Sequence, residues 1–253
     1  MTGDSGRKIL VTGGSKGWGE AIVDRFVDEG CEVFINFAHD RSAAEAVASG
    51  VRTRGSIAHV IQADMGTDEG IQSLFSEITQ LTDELDVVVH NAFHLTNADP
   101  LSADRAQWLR AMEVGPLALM SIAQLAAPMM PSGSGRIVAT SSVATKRLFH
   151  PTQGLGYFPM AVAKGALEVS VRYLATELAP REITVNAVAA AYIGTPNLLE
   201  SPEAFLQAIA RKTPYGRIPS AREMANTVYM LASADAAFTT GQILVADGGF
   251  TLV

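Results

Sequence analysis

Cysteine is almost missing from this chain: Cys31 stands alone among 253 residues. No intramolecular disulfide can form and no Cys cluster offers a zinc site, so Cys31 is expected to be a small core residue. Basic charge is scarce as well. Nineteen Lys and Arg face 26 Asp and Glu, a formal net charge of −7, which argues against a general nucleic-acid or anionic-membrane binder. Long apolar runs are lacking too. The opening MTGDSGRK has no apolar stretch of the signal-peptide kind. The most apolar region, 116–130, contains Ser121 and Gln124 and is too short and polar to span a bilayer. The sequence has no internal repeat, charge run or linker composition, and its 22 glycines and 11 prolines are dispersed. These absences point to a cytoplasmic protein without nucleic-acid or membrane partners, folded as a single domain over 1–253.

What is present is a core. Hydrophobic residues make up 48% of the chain and charged ones 18%, a balance that excludes intrinsic disorder. Short Val- and Ile-rich runs at 8–12, 32–37, 58–62, 86–90, 136–140, 182–188 and 242–245 read as strands. Helical periods lie between them, near 17–29, 41–54, 67–81, 103–130, 158–179 and 220–232. Most of the strands are near-continuous apolar runs, as expected when both faces are covered. The alternation predicts an α/β fold, a Rossmann-type doubly wound parallel sheet with helices on both faces. Right-handed crossovers put the strand C-termini along one edge, where ligands bind. Two stretches, 145–156 and 192–219, interrupt the rhythm, and both should sit at that edge.

The first strand runs into Gly13-Gly14-Ser15-Lys16-Gly17-Trp18-Gly19 and then a helix. Glycines at 13, 17 and 19 permit a tight turn and a close backbone approach, and a pyrophosphate can sit at the positive N-terminus of the helix. Dinucleotide binding is the expectation, with Ser15 and Trp18 in the loop and Trp18 packing beneath it. NAD-specific sites place an acidic residue at the end of the second strand to hold the ribose 2′-hydroxyl. That strand ends at Asn36-Phe37, whereas Lys16 and Arg41 offer positive charge to a 2′-phosphate, with Asp40 between them. NADPH is therefore expected rather than NADH.

The pattern Thr12-Gly13-x-x-x-Gly17-x-Gly19 resembles the cofactor fingerprint of the short-chain dehydrogenase/reductase superfamily. Asp64 after the third strand, Asn91-Ala92 after the fourth, Ser141-Ser142 after the fifth, Asn186 in the sixth and Asp247-Gly248-Gly249 near the end match in order. The resemblance covers essentially the whole chain. It implies that Asp64 contacts the adenine amino group with Met65 beside it. It also implies that Asn91, with Ala92, steadies the central strand, that Ile193 and Thr195 contact the nicotinamide amide, and that the protein is a homotetramer.

Most members of that superfamily carry Tyr-x-x-x-Lys, whose spacing puts both side chains on one helix face. Here the residue four before Lys164 is Met160, and the nearest earlier tyrosine is Tyr157. Seven positions is close to two helical turns, so the two can still face the same way. Pro159 suits the first helical position and biases Phe158 away from the helix, which places Tyr157 just before it. The phenol then stands farther out than a ketone needs.

This Tyr-x6-Lys arrangement resembles the NADPH-dependent type III enoyl-acyl-carrier-protein reductases. The resemblance implies reduction of the double bond of an enoyl thioester, linked to acyl-carrier protein or coenzyme A, in fatty-acid or secondary-metabolite synthesis. Tyr157 would bond the thioester carbonyl as it becomes an enolate, Lys164 would hold the nicotinamide ribose, and neither role needs a metal. Ser142 is either a third substrate contact or a strand-end hydroxyl. No asparagine occupies Val114-Gly115-Pro116, where many relatives carry a proton-relay asparagine. The loop 146–156, with Arg147, Phe149 and His150, is longer than the usual pattern and should reshape the substrate pocket. Phe149, Met160 and Tyr192 are candidate pocket residues, as are Phe93, in place of a glycine, and His94. Tyr173 reads as a packing residue, and His90, His94 and His150 are not expected to bind a metal. Two other readings stay open: a β-ketoacyl or other carbonyl reductase using Tyr157 in a displaced pocket, and a cofactor-binding sensor without chemistry.

Overall fold

A computed structural model of the chain describes residues 6–28, 30–96, 98–147 and 157–253. Among them seven strands form one sheet: β1 (Lys8–Thr12), β2 (Glu32–Phe37), β3 (Ile57–Gln62), β4 (Val87–His90), β5 (Arg136–Ser142), β6 (Thr184–Ala190) and β7 (Ile243–Ala246). All pairings are parallel, in the order β3-β2-β1-β4-β5-β6-β7. The order reverses between β1 and β4. In an open α/β sheet the crevice outside the strand C-termini at such a reversal is where ligands sit.

The α-helices among the described residues are α1 (Gly17–Val27), α2 (Arg41–Thr53), α3 (Asp68–Thr79), α4 (Arg105–Met112), α5 (Ala118–Ala126), α6 (Phe158–Leu178), α7 (Pro196–Leu199), α8 (Glu203–Arg211) and α9 (Ala221–Ala232). Several begin where a side chain caps the first turn. Asp40 accepts from Ala43 N at 2.9 Å and Thr67 from Gly70 N at 3.0 Å, while Asp104 with Gln107 and Ser220 with Glu223 form reciprocal boxes. One apolar layer, including Leu10, Phe34, Leu74, Leu119 and Leu167, lies between the sheet and α3, α5 and α6. The other, including Ile9, Phe26, Val47, Val89 and Val228, lies beneath α1, α2 and α9. Cys31 is buried in this second layer.

The structure departs from the sequence expectation at three places. The helix expected over 103–130 is interrupted by a π-turn at Glu113–Leu117, because Pro116 has no N–H to continue the helical ladder. The whole helical run Arg105–Met129 is, by length and composition, long and apolar enough to cross a membrane, although 116–130 by itself is not. Its stripe Leu119, Ile122, Ala123 and Ala126 is instead buried on the sheet, the position of a core helix. β6 starts at Thr184 rather than at 182, since Glu182 takes a left-handed conformation with φ 54° and ends the preceding turn. The stretch 192–219 holds the short helices α7 and α8, which its prolines obscured.

The core layers set a stability expectation. Phe34 is fully buried and Phe238 fully exposed, so Phe34→Ala should cost ~3–5 kcal/mol by denaturant unfolding. Phe238→Ala should stay within about 0.5 kcal/mol. Equal effects would mean that the Phe34 layer is not packed as described.

Candidate active site

The nucleotide end is built by backbone. Gly13 and Gly17 hold left-handed conformations, φ 61° and 58°, which glycine adopts without steric cost. A Cβ at Gly19 would lie 2.0 Å from the Gly13 carbonyl oxygen, and one at Gly17 would lie 3.2 Å from the Thr195 methyl. Thr195 is thus brought against the glycine loop, with Ile193 packed two residues before it. Lys16 precedes α1 without capping it by its side chain, so the first-turn N–H groups of α1 are left to a ligand. Trp18 packs on the layer beneath, as expected, and its Nε1–H is buried without a hydrogen-bond partner. Glycine cradle and open helix terminus together fit a dinucleotide pyrophosphate.

Beside this loop the ends of β1 and β4 are knotted. Thr12 Oγ1 accepts from Asn91 N and Ala92 N, both at 3.0 Å. Asn91 Nδ2 donates to the carbonyls of Thr12 and Gly13 at 3.2 and 3.1 Å. His90 Nε2 lies 3.1 Å from the Gly115 carbonyl in the π-turn, and its Nδ1 lies 3.1 Å from Thr12 Oγ1. A carbonyl only accepts, so Nε2 carries the proton and Nδ1 receives the Thr12 hydroxyl. Burial, reinforced by the Lys164 charge, pushes the His90 pKa down to about 3. The imidazole is neutral and both nitrogens are used, which leaves it no coordination site. His94 is exposed on the following loop. Among the described residues no group of three His, Cys, Asp or Glu side chains could hold a metal ion; His150 lies outside them.

At the adenosine end, Asn36 is buried and stitches strands together, its Nδ2 donating to the Ala63 carbonyl at 3.0 Å. Lys16 Nζ pairs with Asp40 at 2.6 Å. That bond, followed by the Ala43 N–H, lowers the Asp40 pKa. Arg41 lies 5.3 Å over the Phe37 ring and 4.0 Å from Glu45. Asp64 receives both oxygens' worth of contact from one Arg110 nitrogen, at 2.7 and 2.8 Å, and accepts from Gly66 N at 2.9 Å. Burial works to raise the Asp64 pKa, but the Arg110 and Gly66 bonds outweigh it and the net shift is down. Arg110, absent from the sequence expectation, therefore orients Asp64 from α4. The Met65 side chain belongs to the core layer, so only its backbone can face a cofactor.

Tyr157 stands at the N-cap of α6, outside the helix, with Pro159 in the first turn. It makes a short parallel bridge to Ala98. Lys164, two turns on, is buried and donates to the Thr140 carbonyl at 2.5 Å. Its Nζ lies 6.0 Å from the centre of the Phe93 ring, which is half exposed. Burial raises the Tyr157 pKa, so the phenol keeps its proton at neutral pH. Tyr192 is pushed up to about 12 by burial and then by the Tyr157 phenol. Tyr192 meets Phe250 edge-on at 6.1 Å. Met160 is partly buried in the first turn of α6. Ser142 Oγ accepts from Ala144 N at 3.2 Å and caps the following turn, Val143–Thr145. Phe149 lies outside the described residues. Tyr173 is 75% exposed on the outer face of α6; its expected packing within the chain is corrected, because position 173 turns away from the stripe of Leu167, Val171 and Leu174.

The fold and this site define a short-chain dehydrogenase/reductase, and the chain belongs to that superfamily. The family described as Enoyl-(Acyl carrier protein) reductase matches residues 13–251. The chain is 34% identical to a 1-cyclohexenylcarbonyl-CoA reductase of Streptomyces collinus, covering 100% of this chain and 90% of the relative. It is 31% identical to a 3-oxoacyl-[acyl-carrier-protein] reductase of Aquifex aeolicus, covering 96% and 97%. The crystal structure of the angucycline C-6 ketoreductase LanV with bound NADP superposes with a TM-score of 0.90 at 30% identity, covering 99% and 98%. The protein is an oxidoreductase of this superfamily that uses a nicotinamide dinucleotide.

Lys164 provides the pH test of the site. Burial brings its pKa down to about 8, so the ammonium is charged below that pH and neutral above it. A contribution of this charge to turnover is full below about pH 8 and falls as pH rises through it. The pH profile of kcat/KM, which reports the free enzyme, should bend downward there, and the bend should vanish in Lys164→Met. A wild-type profile flat across that range would contradict the buried lysine.

Proposed function

We propose that the protein reduces the carbon–carbon double bond of an enoyl thioester with NADPH. The observation that carries this reading is the place of Tyr157. It stands ahead of α6 rather than on the turn before Lys164, where Met160 supplies an apolar surface. In a conjugated thioester the carbonyl oxygen is two bonds beyond the carbon that accepts hydride. In a ketone it sits on the accepting carbon itself. A phenol set outward suits the first substrate.

NADPH, when bound, supplies the hydride at the β-carbon. Tyr157, whose pKa burial raises further above the ordinary phenol value, donates a hydrogen bond to the thioester carbonyl. As the double-bond electrons move toward the carbonyl, negative charge grows on that oxygen, and a donor already in place stabilises it without reorganisation. The Lys164 ammonium adds positive charge nearby and would hold the ribose hydroxyls. Lys16, now paired with Asp40, and Arg41 would hold the 2′-phosphate. Asp64, held by Arg110, would contact the adenine amino group. The Streptomyces relative, a reductase of a cyclohexenyl-conjugated CoA thioester by name, supports the substrate class. The exposed Val162, Val169 and Tyr173 on α6 support a homotetramer, in which further copies cover that face.

A carbonyl reductase is the rival reading, favoured by the Aquifex and LanV likenesses. Rates with crotonyl and acetoacetyl thioesters, each with NADPH and NADH, separate the two. The crotonyl thioester with NADPH should be the fastest pair. Tyr157→Phe should then lose turnover by roughly 10²–10³-fold, the effect of removing one oxyanion donor. Reduction of the β-keto thioester tenfold faster, about 1.4 kcal/mol in barrier, would reject the enoyl reading.

A further inference from the structure

Glu168 is the one charged group of α6, besides Lys164, that is buried among the described residues, at 3% exposure. It lies four residues after Lys164 and therefore on the same helix face. The Ser141 hydroxyl donates to its Oε1 at 2.7 Å. The Thr145 hydroxyl lies 2.8 Å from the same oxygen and 2.9 Å from the Ser142 carbonyl. Lys146 Nζ pairs with Oε2 at 2.5 Å. Consecutive residues of β5 are thus tied to α6, Thr140 by Lys164 and Ser141 by Glu168. The turn that follows, carrying Ser142, is held by the same carboxylate.

The tie continues one residue further. Arg147 Nη1 donates to the Phe250 carbonyl at 2.5 Å, and the guanidinium lies 4.7 Å over the Phe250 ring. Phe250 in turn backs Tyr192. Its position is fixed by Asp247, whose carboxylate accepts from Gly249 N and Thr251 N at 2.9 and 2.8 Å. One carboxylate on the catalytic helix therefore fixes the start of the chain after β5. From there a single residue leads to the clamp behind Tyr192.

We propose that Glu168 is a positioning residue for the substrate side of the site, setting Ser142 and the Lys146–Arg147 root against α6 so that the pocket around Tyr157 and Tyr192 accepts an acyl thioester. The proposal rests on the reading of this site as a thioester reductase. Glu168 touches neither the glycine loop nor the Thr12–Asn91 knot, so its effect falls on acyl-substrate affinity and not on the cofactor.

The test is Glu168→Gln in the full chain. A glutamine keeps an acceptor for Ser141 and Thr145 and removes the charge that holds Lys146. Steady-state rates with crotonyl thioester and NADPH, NADPH affinity by fluorescence, and the melting temperature are measured together. KM for the thioester should rise by about tenfold, with kcat within about threefold and NADPH affinity within about twofold. Lys146→Gln, which keeps a donor toward Oε2, should raise KM in the same direction. Adding it to Glu168→Gln should cause little further loss, because both act on one tie. A folded Glu168→Gln protein whose KM is unchanged would overturn the proposal. So would parallel losses in kcat and NADPH affinity, which mark a disturbed Lys164. If Glu168→Gln does not fold, the Lys146→Gln KM decides alone. Should the unmodified protein reduce only the β-keto thioester, the enoyl reading has failed, and the same KM comparison on that thioester still judges Glu168.

Discussion

The hydroxyl of Thr12 is the junction on which the site depends. It accepts from the backbone N–H groups of Asn91 and Ala92 and donates to the neutral imidazole of His90. The ends of β1 and β4 are joined where the sheet order reverses, and the glycine loop is held against them by Asn91. His90 carries the junction across to the π-turn at Gly115, in the helical run where relatives carry an asparagine. The Thr12 hydroxyl, both His90 nitrogens and the Asn91 amide nitrogen all have partners, and a satisfied buried network is rigid. Lys164, close enough to depress the His90 pKa, is placed against this rigid wall.

From that wall the site extends along β5. Lys164 and Glu168 are one helical turn apart and bind successive residues of the strand, so α6 cannot slide along β5 without breaking a buried charge-assisted bond. Tyr157 gains from this arrangement because it is not part of the helix. Pro159 lies in the first turn of α6 and leaves Tyr157 at the cap, ahead of the helix. The protonation states divide the work. The phenols stay protonated and can donate, while the lysine, shifted down to about 8, is still charged at neutral pH. Burial produces both shifts, and at neutral pH each group still stands in the form the chemistry uses: the phenol protonated and the lysine charged, although burial disfavours that charge.

Much of this was legible in the sequence because it rests on local pattern. The Val- and Ile-rich runs marked the strands within two residues, and the glycine spacing marked the turn before α1. Pro159 placed Tyr157 at the cap. What escaped was carried by contacts distant in sequence. Arg110 reaches Asp64 across 46 positions, and Glu168 meets Ser141 across 27; neither spacing has a local signature. Glu168 did have one signal, its register four residues after Lys164, which places an acid on the buried face. Tyr173 misled because a long apolar helix suggests packing on every side, whereas one face of α6 is left outward. His90 drew notice as a possible ligand, yet its chemistry is that of a buried hydrogen-bond bridge.

The central claim is that Tyr157 serves an oxygen two bonds beyond the carbon that receives hydride. Following the label from 4-deuterated NADPH into the product of a crotonyl thioester tests it most directly. The saturated thioester should form with deuterium at C3 and a solvent proton at C2, and Tyr157→Phe should suppress its formation without weakening cofactor binding. Absence of saturated product, with the label appearing only at the carbinol carbon when a β-keto thioester is offered, would contradict the account.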